Sequence, residues 1–323
     1  MKRTLTAGNL AAFLLAAALL PAGLLPPARA ADPPLTPDPD FGGYWHDGQA
    51  ELDGYRWTGI RYGQERRGQS VMVFVTEPFS ESARVKVDDP ARHPGDVLDV
   101  LKLNHVRDFQ TGIYDYNTMV SLFVQSDTFE PVKLSFSSQE WCGNVYDELI
   151  FRSKGIEETL HSYFEGESGV RTYPARPGGV SEDNLFILLR GLRGPYLGPG
   201  ERREVPFFPG VFARRLNHRP GDWTTAVIER RRDRKEITVP AGTFSTLEYR
   251  VTTAEGREGR FYIDAAWPHR VVLWSWESTT GDGRRRDASE TGELAGFARL
   301  KYWELNGAGK ESLLEGLGLS PVP

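Results

Sequence analysis

The sequence contains a single cysteine, Cys142, among its 323 residues. One cysteine cannot form an internal disulfide, so the stability of the fold must come from burial and from backbone hydrogen bonds. Unpaired cysteine is among the residues most often fully buried. We therefore interpret Cys142 as a small buried side chain, and we expect its thiol to be unreactive.

The chain also lacks an excess of positive charge. Residues 1–30 contain three basic residues and no acidic one, so the rest of the chain carries 36 basic and 44 acidic side chains, a net charge of −8. This sign disfavours a nucleic acid or an anionic membrane as partner. The signatures HExxH and GxSxG and the Walker loop are absent from the sequence. We assign no catalytic residue, no metal site and no cofactor.

Long apolar runs are confined to residues 1–30, MKRTLTAGNLAAFLLAAALLPAGLLPPARA. Two cations, an apolar stretch and an Ala-Arg-Ala end are typical of a secretory signal peptide that is cleaved after Ala30. No later stretch is long enough to span a bilayer. No cysteine follows the cleavage site that could carry a lipid. We expect a soluble bacterial protein, periplasmic or secreted, whose residues 31–40 form a Pro/Asp-rich linker.

From residue 41 to about residue 305, short runs rich in Val, Ile, Phe, Tyr, Trp and Thr alternate with Gly, Pro, Asp and Asn clusters. This pattern predicts an all-β, mainly antiparallel fold. We expect one curved domain over residues 41–305, in which residues 174–209 join two groups of strands, and a tail over residues 306–323. The run Val71–Val75 shows no alternation, which indicates a strand covered on both faces. A large curved sheet or half-open barrel would cover it in this way.

One short helix is predicted after Ser181. Ser181 is a typical N-cap, Glu182 and Asp183 stand in the first turn, and Gly191 follows the apolar stretch. Acidic side chains stabilise the N-terminus of a helix, and glycine commonly follows its C-terminus. The surrounding residues are rich in proline and glycine, so we interpret them as a long connection.

Two sets of motifs resemble bacterial families of unknown function. The first resembles a group of uncharacterised exported proteins and comprises RYG, VFVTEPFS, LKLN, TGIYDYN and QEWCG, within residues 61–63, 73–80, 101–104, 111–117 and 139–143. The second, with VPAGTF at residues 239–244, resembles a periplasmic domain family. What this resemblance implies is a lipoprotein-carrier-like fold, a half-closed barrel whose concave face could hold an apolar or amphipathic ligand.

Strand alternation places Glu140 on the same face as Val132, Leu134 and Phe136. A carboxylate on a dry face needs a cation, and we expect Arg61 or Lys102 to supply it, with a neighbouring tyrosine or backbone N–H as a further donor. The same alternation places Cys142 on that face. A structural ion pair, a ligand contact and a catalytic role for this region remain open alternatives.

The candidate ligand-binding residues share polar or aromatic side chains near this predicted face: Arg61, Lys102, Asn104, Tyr114, Tyr116, Gln139, Glu140, Trp141, Trp274 and Trp276. The aromatic members could equally pack in the core. Three functions remain open. The chain could bind or carry a lipid-like or other amphipathic small molecule in the cell envelope, it could be a structural or envelope-assembly protein, or it could be a hydrolase that uses the Glu140/Cys142 region. The sequence predicts no oligomeric state.

Overall fold

The structure is a computed structural model that describes residues 41–278 and 286–321. The predicted signal peptide and the linker, residues 1–40, lie outside the described residues. Within the described ranges, no helix is both long and apolar enough to cross a membrane.

Most of the described chain consists of β-strands. Counted over the described residues, fifteen strands form one sheet: β1 (Ala50–Arg61), β2 (Gln64–Ser80), β3 (Val97–Thr111), β4 (Tyr114–Gln125), β5 (Pro131–Glu140), β6 (Gly143–Arg152), β7 (Gly155–Ser162), β8 (Gly169–Pro174), β9 (Val180–Ser181), β10 (Arg202–Phe208), β11 (Thr224–Val239), β12 (Gly242–Thr253), β13 (Glu258–Asp264), β14 (Val271–Glu277) and β15 (Glu290–Leu300). The short α-helices are α1 (Phe41–Trp45), α2 (Leu185–Leu188) and α3 (Val211–Leu216).

The sheet order is β8-β7-β6-β5-β4-β3-β2-β1-β15-β14-β13-β12-β11-β10-β9. Two antiparallel meanders therefore meet where β1 pairs with β15, and β9 with β10 is the parallel pair. The end strand β8 also approaches the opposite end of the sheet. The Tyr173 ring of β8 lies 5.0 Å from the Phe208 ring of β10, and Trp223 Nε1 donates to the Pro174 carbonyl at 2.9 Å. The sheet is thus a curled, nearly closed barrel, which confirms the predicted fold class of a large curved antiparallel sheet.

The concave side of the sheet is filled by the chain itself. Apolar side chains of α2 and α3 and aromatic side chains of the strands form one continuous core. Trp274 and Trp276 of β14 belong to this core and are fully buried. Since side chains fill the inside, the barrel has a packed centre.

The predicted helix after Ser181 is present as a 3₁₀ turn, Glu182–Asn184, that continues into α2. Gly191 follows it with a φ of +67°, in the left-handed region that suits glycine at a helix end. Glu182 and Asp183 do not only serve their own turn. They accept hydrogen bonds from the backbone N–H groups of Gly210 and Val211, at 3.0 and 3.2 Å, at the start of α3.

Both faces of the run Val71–Val75 are covered, as its lack of alternation predicts. Met72 and Phe74 point into the main core, whereas Val73 and Val75 pack on the outside against Leu317 and Leu319 of the C-terminal segment. A 3₁₀ helix, Glu311–Leu317, brings that segment against the outer face of the sheet.

Other elements differ from the predictions. Strands β8, β9 and β10 lie in or next to residues 174–209, where proline and glycine obscure the strand pattern, and α3 follows them. β11 runs through the charged residues around position 232, because an irregularity between Arg230 and Arg234 lets the pairing with β12 continue.

Candidate functional site

Helix α3 is held at both ends inside the barrel. Glu182 and Asp183 accept hydrogen bonds at its N-terminus, and the Arg61 guanidinium donates to the Leu216 carbonyl at its C-terminus, at 2.9 Å. Acceptors at the first turn and a cation at the last carbonyls both stabilise a helix. A helix of six residues gains little stability by itself. These contacts therefore fix the position of α3.

Two consecutive arginines of α3 reach carboxylates of the sheet. Arg215 forms an ion pair with Glu140 of β5, and Arg214 forms ion pairs with Asp147 of β6 and Glu158 of β7. Both arginines are 6 % exposed. A buried guanidinium needs such partners, because removing a charge from water is costly.

Each of these arginines also keeps unused hydrogen-bond donors. The Nε and Nη1 atoms of Arg214 and Arg215 are buried and have no hydrogen-bond partner among the described residues, and neither does the Oδ1 atom of Asp147. Buried polar groups in folded proteins are normally hydrogen-bonded. The pair of guanidinium groups is therefore able to accept an additional anionic or polar partner.

A cavity of about 190 Å³ lies beside these arginines, and we call it the α3 pocket. Its wall combines apolar side chains with charged ones: Phe136, Val145, Leu160, Val211, Asp147, Glu167, Arg171, Arg214, Arg215, His218 and Arg219, together with Gly166 and Pro220. At its edge His218 Nδ1 lies 2.7 Å from Glu167 Oε1. The pocket is amphipathic, because apolar side chains of β5, β6 and β7 face the Arg214 and Arg215 side chains of α3.

The ionisation of Asp147 beside Arg214 depends on its burial. Burial, with a contribution from Glu158, raises the pKa of Asp147 to about 7, although Arg214 and Arg171 act against it. Glu158 is fully buried and also accepts a hydrogen bond from the Tyr173 hydroxyl at 2.7 Å. Near neutral pH, Asp147 is therefore only partly ionised, and Arg214 is incompletely neutralised by it.

The predicted burial of Glu140 is confirmed, and its predicted cation is wrong. Glu140 shares the inner face of β5 with Leu134 and Phe136, but its partner is Arg215. The prediction that Val132 lies on this face is wrong, because the β4–β5 pairing is irregular beside it and Val132 packs with Phe79 and Val100 in a separate cluster. Arg61 instead donates to Leu216 and to the Tyr116 hydroxyl. The predicted tyrosine contact is with Tyr116, which lies opposite Glu140 across the β4–β5 ladder. Burial, and then a side-chain hydrogen bond to Glu140, raise the pKa of Tyr116.

Lys102 was the other cation proposed for Glu140. It lies on the opposite, outer face of β3 and pairs with Glu77 of β2. Asn104 lies on that same outer face, and Gln139 is exposed on β5.

The prediction that Cys142 is buried is wrong. Glu140 pairs directly with Gly143, so Trp141 and Cys142 form a two-residue hairpin turn and Cys142 is exposed. Strand alternation stops where the strand stops, and it therefore cannot place a turn residue on the dry face. Glu140 and Cys142 do not share a face, and the structure gives no support to a hydrolytic site that uses both.

The other candidate residues fall into two groups. One group lies at the end of the barrel where the hairpins β1–β2, β3–β4 and β5–β6 turn, and it comprises Arg61, Tyr114, Tyr116 and Trp141. Trp274 and Trp276 lie in the core, and both are away from the surface.

No family model and no curated protein matches the sequence. The crystal structure of a β-barrel-like protein of the domain of unknown function DUF1849 from Brucella abortus is similar, with 10 % identity, a TM-score of 0.46, and coverage of 78 % of this chain and 98 % of that one. No functional inference rests on this likeness. The motif resemblances stay predictions.

The pocket residues Asp147, Arg214 and Arg215 were missed in the sequence. A signal for Asp147 exists, because alternation along β6 places it on the same face as Val145 and Leu149, where a carboxylate is out of place. The arginines carry no such signal. They lie on a helix that follows a strand hidden by prolines.

Proposed function

We propose that this chain is an exported binding protein of the cell envelope whose α3 pocket holds the anionic end of a small amphipathic molecule. The observation that carries the proposal is the pair of buried arginines, Arg214 and Arg215, with unpartnered donors beside an apolar wall.

The chemistry of the pocket favours an anion with an apolar extension. A guanidinium presents its N–H groups in a planar fork that matches a carboxylate or a phosphate. Phe136, Val145 and Leu160 offer apolar contacts on the other side. A ligand with both parts would satisfy the free donors and bury its apolar part in the same site.

The volume restricts how much of a ligand can enter. A cavity of about 190 Å³ is smaller than the roughly 300–1,000 Å³ that encloses a drug-sized ligand. The centre of the barrel is occupied by α2, α3 and the aromatic core. The pocket therefore fits a small ligand or one end of a longer molecule.

The packed centre also supports a second candidate function. A structural or envelope-assembly protein would need a stable barrel with a filled interior and no ligand. The two candidates differ in one observable, which is whether the α3 pocket binds an amphipathic anion.

The binding experiment uses the chain from residue 31 onward, with octanoate and octyl phosphate as probes and octanol as the uncharged control. Isothermal titration calorimetry should detect binding of at least one anion, and binding should weaken at high salt because the contact is ionic. The variant Arg215→Lys keeps a cation for Glu140 but loses the fork, and should bind at least tenfold more weakly. Arg202→Lys changes an exposed arginine of β10 and serves as the matched control.

Equal binding of octanol and the anions, or equal affinity in Arg215→Lys and the unchanged chain, would contradict the pocket proposal and favour the structural role. If Arg215→Lys does not fold, NMR chemical-shift changes in the unchanged chain decide the matter, since octanoate must perturb residues of α3. Export is tested separately by mass spectrometry of the protein recovered from its host. The mature N-terminus should be Ala31, and a retained residue 1–30 segment would refute that part.

A further inference from the structure

Large apolar side chains concentrate on successive hairpin turns at one end of the barrel. Tyr62 is 51 % exposed on the β1–β2 turn, Ile113 is 81 % exposed on β3–β4, Trp141 is 69 % exposed on β5–β6, and Tyr163 is 65 % exposed just after β7. Tight turns ordinarily carry glycine, asparagine, aspartate or serine. Clustered exposed apolar side chains indicate a binding surface.

We name Tyr62, Tyr114, Trp141 and Tyr163 the aromatic rim. Tyr114 links the first and third turns, because its hydroxyl donates to the Tyr62 hydroxyl at 3.2 Å and its ring centroid lies 6.4 Å from that of Trp141. Tyr163 continues the rim beside Gly143, where a Cβ atom would lie 2.4 Å from the Tyr163 ring. Tyr163 therefore lies next to the β5–β6 turn that carries Trp141, where Gly143 leaves room for its ring.

The rings of the rim are held in place at their polar ends. Trp141 Nε1 donates to Asp115 Oδ1 at 3.0 Å. The Tyr62 hydroxyl lies 2.8 Å from that of Tyr116, and the Arg61 guanidinium lies 4.2 Å from the centre of the Tyr62 ring. The hydrogen bonds hold the polar edges of the Trp141 and Tyr62 rings, whereas the Arg61 guanidinium covers one face of the Tyr62 ring. A fixed ring loses little conformational freedom when a ligand binds.

The backbone at Tyr62 adopts a left-handed conformation that is strained for a bulky side chain. Its φ is +54°, and Gly63 follows at +67°. A turn with two positive φ values strongly prefers asparagine followed by glycine, and a bulky residue at the first position is unusual. Asp287 accepts hydrogen bonds from the backbone N–H groups of both residues, at 3.0 and 3.1 Å. Strain that the surrounding contacts maintain in this way is typical of functional positions.

A carboxylate and an amide beside Trp141 indicate which kind of partner fits the rim. Asp115 is exposed beside Trp141, and Gln139 is exposed two residues before it. A rim that entered a lipid bilayer would have to carry Asp115 into it, which is costly. A sugar has no such conflict, because a pyranose ring offers an apolar C–H face to an aromatic ring and hydroxyl groups to a carboxylate or an amide.

We propose that the aromatic rim binds a pyranose ring of a glycan. Trp141 and Tyr114, tilted by 37° to each other, form the stacking surface. Asp115 accepts hydrogen bonds from the hydroxyl groups of the sugar. This site is separate from the α3 pocket, and neither proposal depends on the other.

The test is a glycan array probed with the chain from residue 31 onward, followed by calorimetry with the strongest soluble hit. We expect binding to at least one class of pyranose glycan. Trp141→Ala should reduce the affinity at least tenfold, and Asp115→Asn should reduce it as well. Trp303→Ala removes another exposed tryptophan, 44 % exposed and away from the rim, and should leave the affinity unchanged.

Trp141 is exposed, so its variant should fold, and an unchanged melting temperature would show this. Absence of binding to every glycan on the array overturns the proposal. So does an equal loss of binding in Trp141→Ala and Trp303→Ala. Binding of the chain to phosphatidylcholine–phosphatidylglycerol vesicles that is lost in Trp141→Ala, without glycan binding, would assign the rim to a membrane and overturn the proposal.

Discussion

The ion pair between Glu140 and Arg215 should be essential for the stability of α3 inside the barrel. Both side chains are almost completely buried, and the two remaining donors of Arg215 have no partner among the described residues. Glu140→Ala would leave a buried guanidinium without its carboxylate and would also remove a partner of Tyr116. Breaking a buried pair from one side costs roughly 3–5 kcal/mol.

That loss is measurable by thermal unfolding. A change of 1 kcal/mol lowers the melting temperature of a domain of this size by about 2–4 °C, so Glu140→Ala should melt roughly 6–20 °C below the unchanged chain. Glu65→Ala is the control, because Glu65 pairs with Arg67 at an exposed site and such pairs contribute about 0–1 kcal/mol.

A double variant separates the lost pair from the stranded charge. Glu140→Ala combined with Arg215→Met removes both charges and keeps an apolar side chain of similar length, so it should recover part of the stability. The reasoning is refuted if Glu140→Ala melts together with the unchanged chain. It is also refuted if the double variant loses more unfolding free energy than Glu140→Ala and Arg215→Met lose together.

Three further predictions follow from the geometry. Because burial raises the pKa of Asp147 from 3.8 to about 7, the folded chain binds more protons than the unfolded chain between about pH 4 and 7. Its unfolding free energy should therefore fall as the pH rises from about 4 to 7. Denaturant titrations across this pH range should show a smaller fall in Asp147→Asn. Cys142 should react with a thiol reagent in the native protein at one equivalent per chain, and absence of labelling without denaturant would contradict the exposed turn. Gly54→Ala would place a Cβ atom 2.1 Å from the Leu317 carbonyl oxygen, so limited proteolysis should cleave the C-terminal segment faster than in the unchanged chain; equal rates would show that the contact does not hold the segment.

The fold class could be predicted because it depends on local alternation. The run Val71–Val75 indicated cover on both faces, and both covers are present. The alternation along β5 placed Glu140 correctly on the inner face. Such patterns depend on a few adjacent residues, so they can be read without knowing the tertiary contacts of the chain.

The candidate site could not be assembled in the same way. Arg215 lies 75 positions after Glu140, and no local pattern connects a helix residue to a strand that distant in sequence. Strand β10 and helix α3 lie among prolines and glycines that ordinarily indicate a loop. The Cys142 error has the opposite origin, because a local rule was extended beyond the end of its strand at Glu140.

The pairing of β1 with β15 makes the centre of the sheet the last part that the chain can complete. β1 begins at residue 50 and its partner β15 begins only at residue 290, so about nine-tenths of the 323 residues must be available before that ladder can close. Until then the edge of β1 offers unpaired backbone groups to any other strand. A chain that folds as it emerges from its N-terminus presents this open edge first and covers it last. A chain ending before β15 should therefore aggregate.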